Sequence, residues 1–447
     1  MKLLSLVVLE TLVEPVSALA MQNKNAQIVV IGAGISGIAA ARTLKDQGYE
    51  VVILEARNRI GGRMWTDESL GTPLDMRASW IHKPKGNPIA KLAKEFNIDY
   101  TQTDWESLHV YSSRGEESDR ENLGELLVKV EKIQRKALKY ANKQDKDISM
   151  MEAVKAVLDI ESLSKIEKEE LYWQLSTLEM DGAIEFEQQS SWGDYEDGFR
   201  GDDVLFVGGY RQILDKLVVG LDIRFEQVVK KIEHNSDFVE IETVQDYFKA
   251  DYAILTVPLG VLKQESIVFE PVLPTSKTKA IEELGMGNLN KLAIRFLEVF
   301  WPADSYFLGY IGEERGAFPI FANWATFTDK PYLLGVIGNS FARKIAEWPE
   351  EKLKSELNKI FQKIFKNAKP IEAIQFSAWM NDPYAGGSYS FLPVGVTGDV
   401  YDELAKPIGR LLFAGEATMR GFSATVHGAY MSGIREAERV LEIIIRK

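Results

Sequence analysis

Apolar positions along the chain switch between two periods, and the switches divide it into segments. Ile28-Val-Val-Ile is an unbroken apolar run closed by Gly32-Ala-Gly34-Ile-Ser36-Gly37. An alanine-rich stretch with helical spacing follows, then a second run, Val51-Val-Ile-Leu, that ends on Glu55. This order predicts a buried strand, a glycine turn, a helix and a second strand. Pro88–Phe96, Asn122–Asn142 and Ser149–Leu158 are rich in lysine and glutamate at helical spacing, which predicts the helices of an inserted lobe. Strand character returns at Val204–Val207, and Gly208-Gly209-Tyr210 leads into a helix. Short strands are predicted at Ile223–Phe225, Val228–Ile232, Val239–Thr243 and Tyr252–Val257. From Lys291–Phe296 to Trp379 the chain mixes strands and aromatics with one amphipathic helix, Glu350–Phe365. Near the end, Gly409–Phe413 reads as a buried strand opening into a turn at Gly415-Glu416, and a final helix runs from about His427 to Ile445.

Strand–turn signatures near both ends, with helical insertions between them, predict an α/β protein in two lobes. One is a discontinuous Rossmann-like cofactor domain in three parts, 27–83, 204–270 and 386–447. The other is an α+β substrate-binding domain made of 84–203, which carries the inserted helical lobe, and 271–385, which carries a sheet and a helix. Residues 1–26 stand apart as a signal peptide or an N-terminal extension.

The opening turn has a specific chemistry. Gly32 permits the tight turn, Gly34 lets the backbone approach a pyrophosphate, and Gly37 lets the helix lie close to the sheet. The helix start around Ser36 offers unpaired N–H groups and a positive dipole end to phosphates. Glu55, at the tip of the second strand, suits a ribose hydroxyl and argues against a 2′-phosphate. These residues predict a dinucleotide without saying which one. Directly after them, Ala56-Arg57-Asn-Arg59-Ile-Gly61-Gly62-Arg63 offers a second close backbone approach with guanidinium donors. A basic surface loop would look the same.

Bulk properties narrow the chemistry. A chain of 447 residues is too long for one core and implies two or three domains. With 53 basic and 66 acidic residues the net charge is −13, which disfavours nucleic acid as a partner. The absence of cysteine excludes disulfides, thiolate catalysis and cysteine-ligated metals. His82, His109, His234 and His427 have no metal-ligand spacing, so no metal is expected. Residues 1–20 look like a signal peptide interrupted by Glu10 and Glu14, and are read as an upstream extension of a cytoplasmic protein, with export as the alternative. No other apolar stretch is long enough to span a membrane.

Further motifs bring in a resemblance. The opening turn, Glu55 and Gly61-Gly62-Arg63 are followed by Ala78-Ser-Trp-Ile-His82, Thr256-Val-Pro-Leu-Gly260 and Asn290-Lys291. Then come Trp379-Met-Asn-Asp382-Pro383-Tyr-Ala-Gly386-Gly387-Ser388-Tyr389, Phe413-Ala-Gly-Glu416-Ala-Thr418 and Ala424-Thr425-Val426-His427-Gly428-Ala429. In this order they resemble the flavin-containing amine oxidases, and most closely the polyamine oxidase branch, across residues 28 to about 440. The resemblance implies FAD, with Glu55 on the adenosine ribose, Arg63 near the pyrophosphate, Val229 clasping the adenine and Glu416 at the ribityl–phosphate region. Gly62, Ala56 and Arg57 belong to the same cofactor set. Thr425 and Val426 would lie beside the isoalloxazine, where a helix N-terminus stabilises negative charge on the flavin. Where monoamine oxidases attach FAD through cysteine this chain has Ser388, so the FAD is expected to be non-covalent.

The implied reaction oxidises an amine C–N bond to an imine, which water hydrolyses to an aldehyde and an amine while oxygen is reduced to hydrogen peroxide. Lys291, heading an apolar strand, matches the lysine that assists flavin reoxidation. Tyr389 matches one wall of an aromatic cage that steers the amine by cation–π attraction. His82 matches a pocket histidine and Trp379 a candidate wall of the same cavity. Two positions depart from the family: Arg77 and Lys83 stand where glycine is usual. Arg77 is suited to cofactor phosphate or flavin carbonyls, or to a substrate carboxylate, and it would oppose a polycation. The alternative substrates are therefore another primary amine or an L-amino acid, and a non-catalytic or chromatin-type flavoprotein is a further alternative. For a polyamine, Glu179, Asp181, Glu185 and Glu187 are the carboxylates expected to line the channel.

Overall fold

The protein is described from a computed structural model covering residues 26–193 and 199–446. The N-terminal segment read as a signal or extension lies outside the described residues. Five short strands run parallel in the order Leu411–Phe413, Tyr252–Leu255, Gln27–Ile31, Glu50–Leu54 and Asp222–Arg224. They come from three distant stretches of chain. Helices cover one face of the sheet and further strands much of the other, so its strands read as apolar throughout, and Val30, Ile53, Ile254 and Leu412 are fully buried.

The helix Ile35–Asp46 connects the first two strands, and the C-terminal helix Val426–Ile445 packs tightly along it. The approach is close enough that a Cβ on Gly433 would sit 2.0 Å from the Ser36 carbonyl oxygen. Ser432, beside it, lies 3.2 Å from the Ser36 hydroxyl and also accepts the Gly415 N–H at 2.8 Å. Gly32, at φ +107°, turns the chain between the first strand and this helix pair. The last helix thereby holds the first turn in place.

Two further sheets complete the frame. Tyr247–Ala250, Val239–Thr243, Val229–His234 and Val268–Glu270 form a four-stranded sheet. A larger one runs Ala373–Phe376, Leu289–Arg295, Tyr332–Gly338, Ile320–Asn323, Phe307–Ile311 and Leu108–Ser112. The helix Glu350–Ile364 covers this sheet with Leu353, Leu357 and Phe361. The lobe contributes Arg120–Ala141, Met150–Val157 and Lys165–Gly182, the last two started by Ser149/Glu152 and Ser164/Glu167 capping boxes.

The reading of 84–180 as helices is incomplete, because Leu108–Ser112 pairs in parallel with Phe307–Ile311 at the edge of the larger sheet. Its five residues are too few for a period to emerge, and His109 interrupts the apolar run. The predicted strands at Val204–Val207 and Tyr252–Val257 end at Leu205 and Leu255. At the second, the Thr256 hydroxyl turns back to donate to the Ile31 carbonyl at 2.8 Å.

Gly433→Ala is expected to destabilise the protein by about 2–3 kcal/mol, because the new methyl meets backbone that cannot move aside. Gly124→Ala, on an open helical face, should instead gain up to about 1 kcal/mol. Urea denaturation of the two variants checks both signs.

Candidate active site

A cavity of about 1390 Å³ opens beside the C-terminal ends of the parallel strands and continues to the larger sheet and the helical lobe. Its first half is built on the glycine turn. The helix after the turn begins at Gly34 with no side chain capping its amides. A Cβ on Gly34 would meet nothing within 4 Å, and the same holds for Gly415, at φ +124°. Glycine therefore leaves unfilled space at both places, and at Gly34 that space adjoins a helix start without a side-chain cap, a cradle matching a phosphate. Gly37 has the opposite situation: its Cβ would lie 2.0 Å from the Gly32 carbonyl oxygen, so it lies behind the turn and outside the cavity wall.

Glu55 is buried, and its two carboxylate oxygens accept N–H groups from Ala33 at 2.8 Å and Arg57 at 2.9 Å. Burial raises its pKa above the usual value, against the lowering effect of those amides and the Arg57 charge. Arg57 is itself anchored by Asp382 at 2.7 Å. Ser36, Ala56, Gly62, Val229 and Val426 also line this cavity.

Farther in, Arg63 bridges two distant segments, donating to the Ser388 carbonyl at 2.7 Å and to Glu416 at 2.9 Å. Glu416 also accepts the Ser390 hydroxyl at 2.6 Å and the Ala424 N–H at 2.9 Å. Burial opposes its charge, but Arg63 and these hydrogen bonds prevail and hold its pKa below the usual value. Thr425 caps the C-terminal helix by accepting the Gly428 N–H at 2.9 Å. A dinucleotide with a further ring system is accommodated by this set: an acid at the ribose end, a glycine-lined phosphate cradle and a helix start beyond the Arg63–Glu416 pair.

The second half holds Lys291. It sits on the strand Leu289–Arg295, between two neighbouring strands, and is 2% exposed. Its Nζ donates to the Ser79 hydroxyl and stands 4.7 Å from the centre of the Trp80 ring. Burial lowers the Lys291 pKa, against the attraction of Asp75. Asp75 is pushed the other way by its own burial while accepting the Thr66 hydroxyl at 2.5 Å and the Tyr210 N–H at 3.1 Å. Tyr389 lines the cavity, its hydroxyl donating to the Met180 carbonyl. Arg77 lies over it, with Cζ 4.2 Å from the ring centre.

His82 faces the outer part of the cavity with Nδ1 2.8 Å from Asp203. Desolvation opposes its positive charge, yet the Asp203 carboxylate outweighs it and raises the pKa. Lys83 adopts φ +50°, a left-handed conformation that favours glycine. Of the four carboxylates expected along a channel, Asp181 alone lines the cavity. Glu179 and Glu187 turn to Arg315, and Glu185 accepts the Ser340 N–H at 2.9 Å. Trp379 is not part of the wall. It is 1% exposed, donates through Nε1 to the Met76 carbonyl at 3.1 Å, and meets Trp65 edge-on at 6.0 Å. Its backbone N–H donates to Asn290 at 2.8 Å, so it braces the strand that carries Lys291.

Sequence reasoning passed over Asp203, Ser79 as the partner of Lys291, and Ser390 on Glu416. Ser79 stood inside a recognised motif. Asp203 had no local signal, since its pairing with His82 joins positions 121 apart. Among the described residues no cluster of His, Cys, Asp or Glu is arranged for a metal, and no helix is long and apolar enough to cross a membrane.

A parallel sheet with a glycine-turn phosphate cradle, an acid at the second strand and a buried lysine in the same cavity defines a dinucleotide-dependent oxidoreductase. Residues 35–441 match the family described as flavin containing amine oxidoreductase. The chain belongs to that family, whose cofactor is FAD. It is 36% identical to polyamine oxidase 2 of Arabidopsis thaliana over 94% of this chain and 90% of that protein. It is 35% identical to polyamine oxidase 4 of Oryza sativa subsp. japonica, with 94% and 89% covered. Lysine-specific histone demethylase 1 homolog 2 of the same rice is 34% identical across 94% of this chain, which spans 58% of that protein. A solved structure of a redesigned putrescine oxidase has the same mixed α/β fold, with a TM-score of 0.75 at 19% identity, covering 93% of this chain and 99% of its own.

His427, second in the C-terminal helix, is buried against Phe199 and Phe422, and burial followed by the nearby His82 charge lowers its pKa to about 4. Between about pH 6.5 and 4 the unfolded chain binds a proton that the folded histidine refuses, so stability is lost as pH falls through that window. His427→Gln is expected to lose about 2–3 kcal/mol less than the parent between pH 7 and 4. Urea denaturation at both pH values measures the difference.

Proposed function

We propose that this amine oxidoreductase is a polyamine oxidase, converting a secondary or primary amine, oxygen and water to an aldehyde, an amine and hydrogen peroxide. The observation that carries the reading is the convergence in one cavity of the glycine cradle, the Glu55 acid, the Tyr389 ring and the Lys291 ammonium site. Relatives named polyamine oxidases, similar over nine-tenths of their length, support the substrate class.

In this reading 27–83, 204–270 and 386–447 form a Rossmann-like FAD-binding domain. Residues 84–203 and 271–385 form the substrate domain with its helical lobe. FAD would be held non-covalently by Glu55 at the ribose, by Gly34 and the amides near Ser36 at the pyrophosphate, and by Arg63, Glu416, Thr425 and Val426 farther in. When bound, FAD supplies a two-electron acceptor for the amine carbon and passes those electrons to oxygen.

The chain's own residues do the rest. Apolar side chains of the lobe, among them Leu127, Leu138 and Phe186, wall the cavity and exclude water along an aliphatic substrate. An amine must shed its proton before it is oxidised, and a desolvated pocket favours the neutral form. The Tyr389 ring orients the nitrogen. Asp181 and Asp203, in the same cavity, attract a second ammonium of the substrate. Lys291, held near neutrality by burial and fixed by Ser79, is placed to give or take a proton at Nζ while oxygen is reduced.

Two measurements test the proposal. Purified, FAD-loaded protein should release peroxide with spermine or spermidine, and peroxide from amino acids alone would overturn the substrate class. Lys291→Met should keep its FAD yet slow reoxidation by oxygen about a hundredfold in stopped-flow absorbance.

A further inference from the structure

Arg77 is a charged residue of the cavity that the amine oxidase reading leaves without a task. Its guanidinium stands in the middle of the site, on the cavity wall shared with Arg63, Ser79, Lys291 and Tyr389. The residue is 91% buried by its 9% exposure, and its Nε has no hydrogen-bond partner. The guanidinium lies on the face of the Tyr389 ring at 4.2 Å, stacked on an aromatic rather than seated on a carboxylate.

The surrounding charges are already matched with one another. Arg63 and Glu416 form an ion pair at 2.9 Å. Lys291 faces Asp75, whose carboxyl is turned to Thr66 and Tyr210. Arg77 forms no ion pair of its own: its guanidinium is held by the Tyr389 side chain, and the nearby Glu416 carboxylate is already paired with Arg63. Burial is its main cost and lowers its pKa only to about 10, so it remains charged at neutral pH. Keeping such a charge out of water is unfavourable unless something negative comes to it.

Its position says what that is. Arg77 stands within electrostatic reach both of the Arg63–Glu416 pair and of Lys291, and shares the cavity wall with Thr425 and Ser79. A cofactor whose ribose sits at Glu55 must carry its reactive ring past Arg63 to reach Lys291, and this takes the ring to Arg77. We propose that Arg77 is a cofactor-facing cation that makes the bound flavin a stronger electron acceptor. Electron uptake adds negative charge to the ring, and a fixed, poorly hydrated cation beside it favours the charged product over the starting form. The same cation repels a protonated amine, so it favours the neutral amine that the reaction needs.

The inference rests on FAD being the resident cofactor, but not on the substrate. Its test is the midpoint potential of the FAD-loaded protein, titrated without any amine, so a protein that oxidises no polyamine still returns a result. Arg77→Gly and Arg77→Gln should each shift the two-electron equilibrium against reduction at least tenfold, a fall of about 30 mV. Arg77→Lys should stay nearer the parent than either neutral variant. Potentials unchanged in both neutral variants would overturn the proposal. So would tighter FAD binding by tenfold or more in Arg77→Gly with no change in potential, since the guanidinium would then only obstruct the ring.

Discussion

The pair between the half-buried Arg63 and the buried Glu416 joins residues 353 positions apart, and the rest of the site is arranged around it. Arg63 ties the segment after the second strand to the Ser388 carbonyl, and Glu416 gathers Ser390 and Ala424 onto the same point. Four stretches of chain therefore meet at one ion pair deep in the protein. Removing one partner would strand a charge in the interior, with a cost of about 3–5 kcal/mol for such pairs.

From this junction the electrostatics divide. On the nucleotide side the donors are backbone amides, which give a fixed field and need no side chain to be ordered. On the amine side the charges are side chains kept short of water: Lys291 lowered, Asp75 raised, both by burial. Groups poised between their protonation states belong where protons move, and uncharged amides belong where a phosphate must be held still. The division follows from the folds that supply them, a strand–turn–helix on one side and the middle of a wide antiparallel sheet on the other.

Much of this was legible in the residues. The first strand, its glycine turn and the final helix carry strong periods and fixed spacings, and they stand within a residue or two of expectation. What escaped depended on partners far away in sequence. Leu108–Ser112 is a strand only because Phe307–Ile311 lies beside it. Glu179 and Glu187 look like channel acids until Arg315 claims them. Trp379 resembles a wall residue, but its indole N–H finds the Met76 carbonyl and turns it inward. Local pattern records which face is apolar, whereas the choice of ionic partner is made by the tertiary fold.

The parallel sheet has one more consequence. Its outermost strand, Leu411–Phe413, pairs with Tyr252–Leu255, which in turn pairs with Gln27–Ile31, and the helix that steadies the first turn comes later still. As a ribosome releases the chain, the glycine turn can lean on Leu54 early and on Thr256 later, but its contact with the last helix, Ser36 to Ser432, joins positions 396 apart. Completion of the parallel sheet and its helical cover therefore waits for the last segment of the chain. Until then the apolar runs of the earlier strands lack part of their cover.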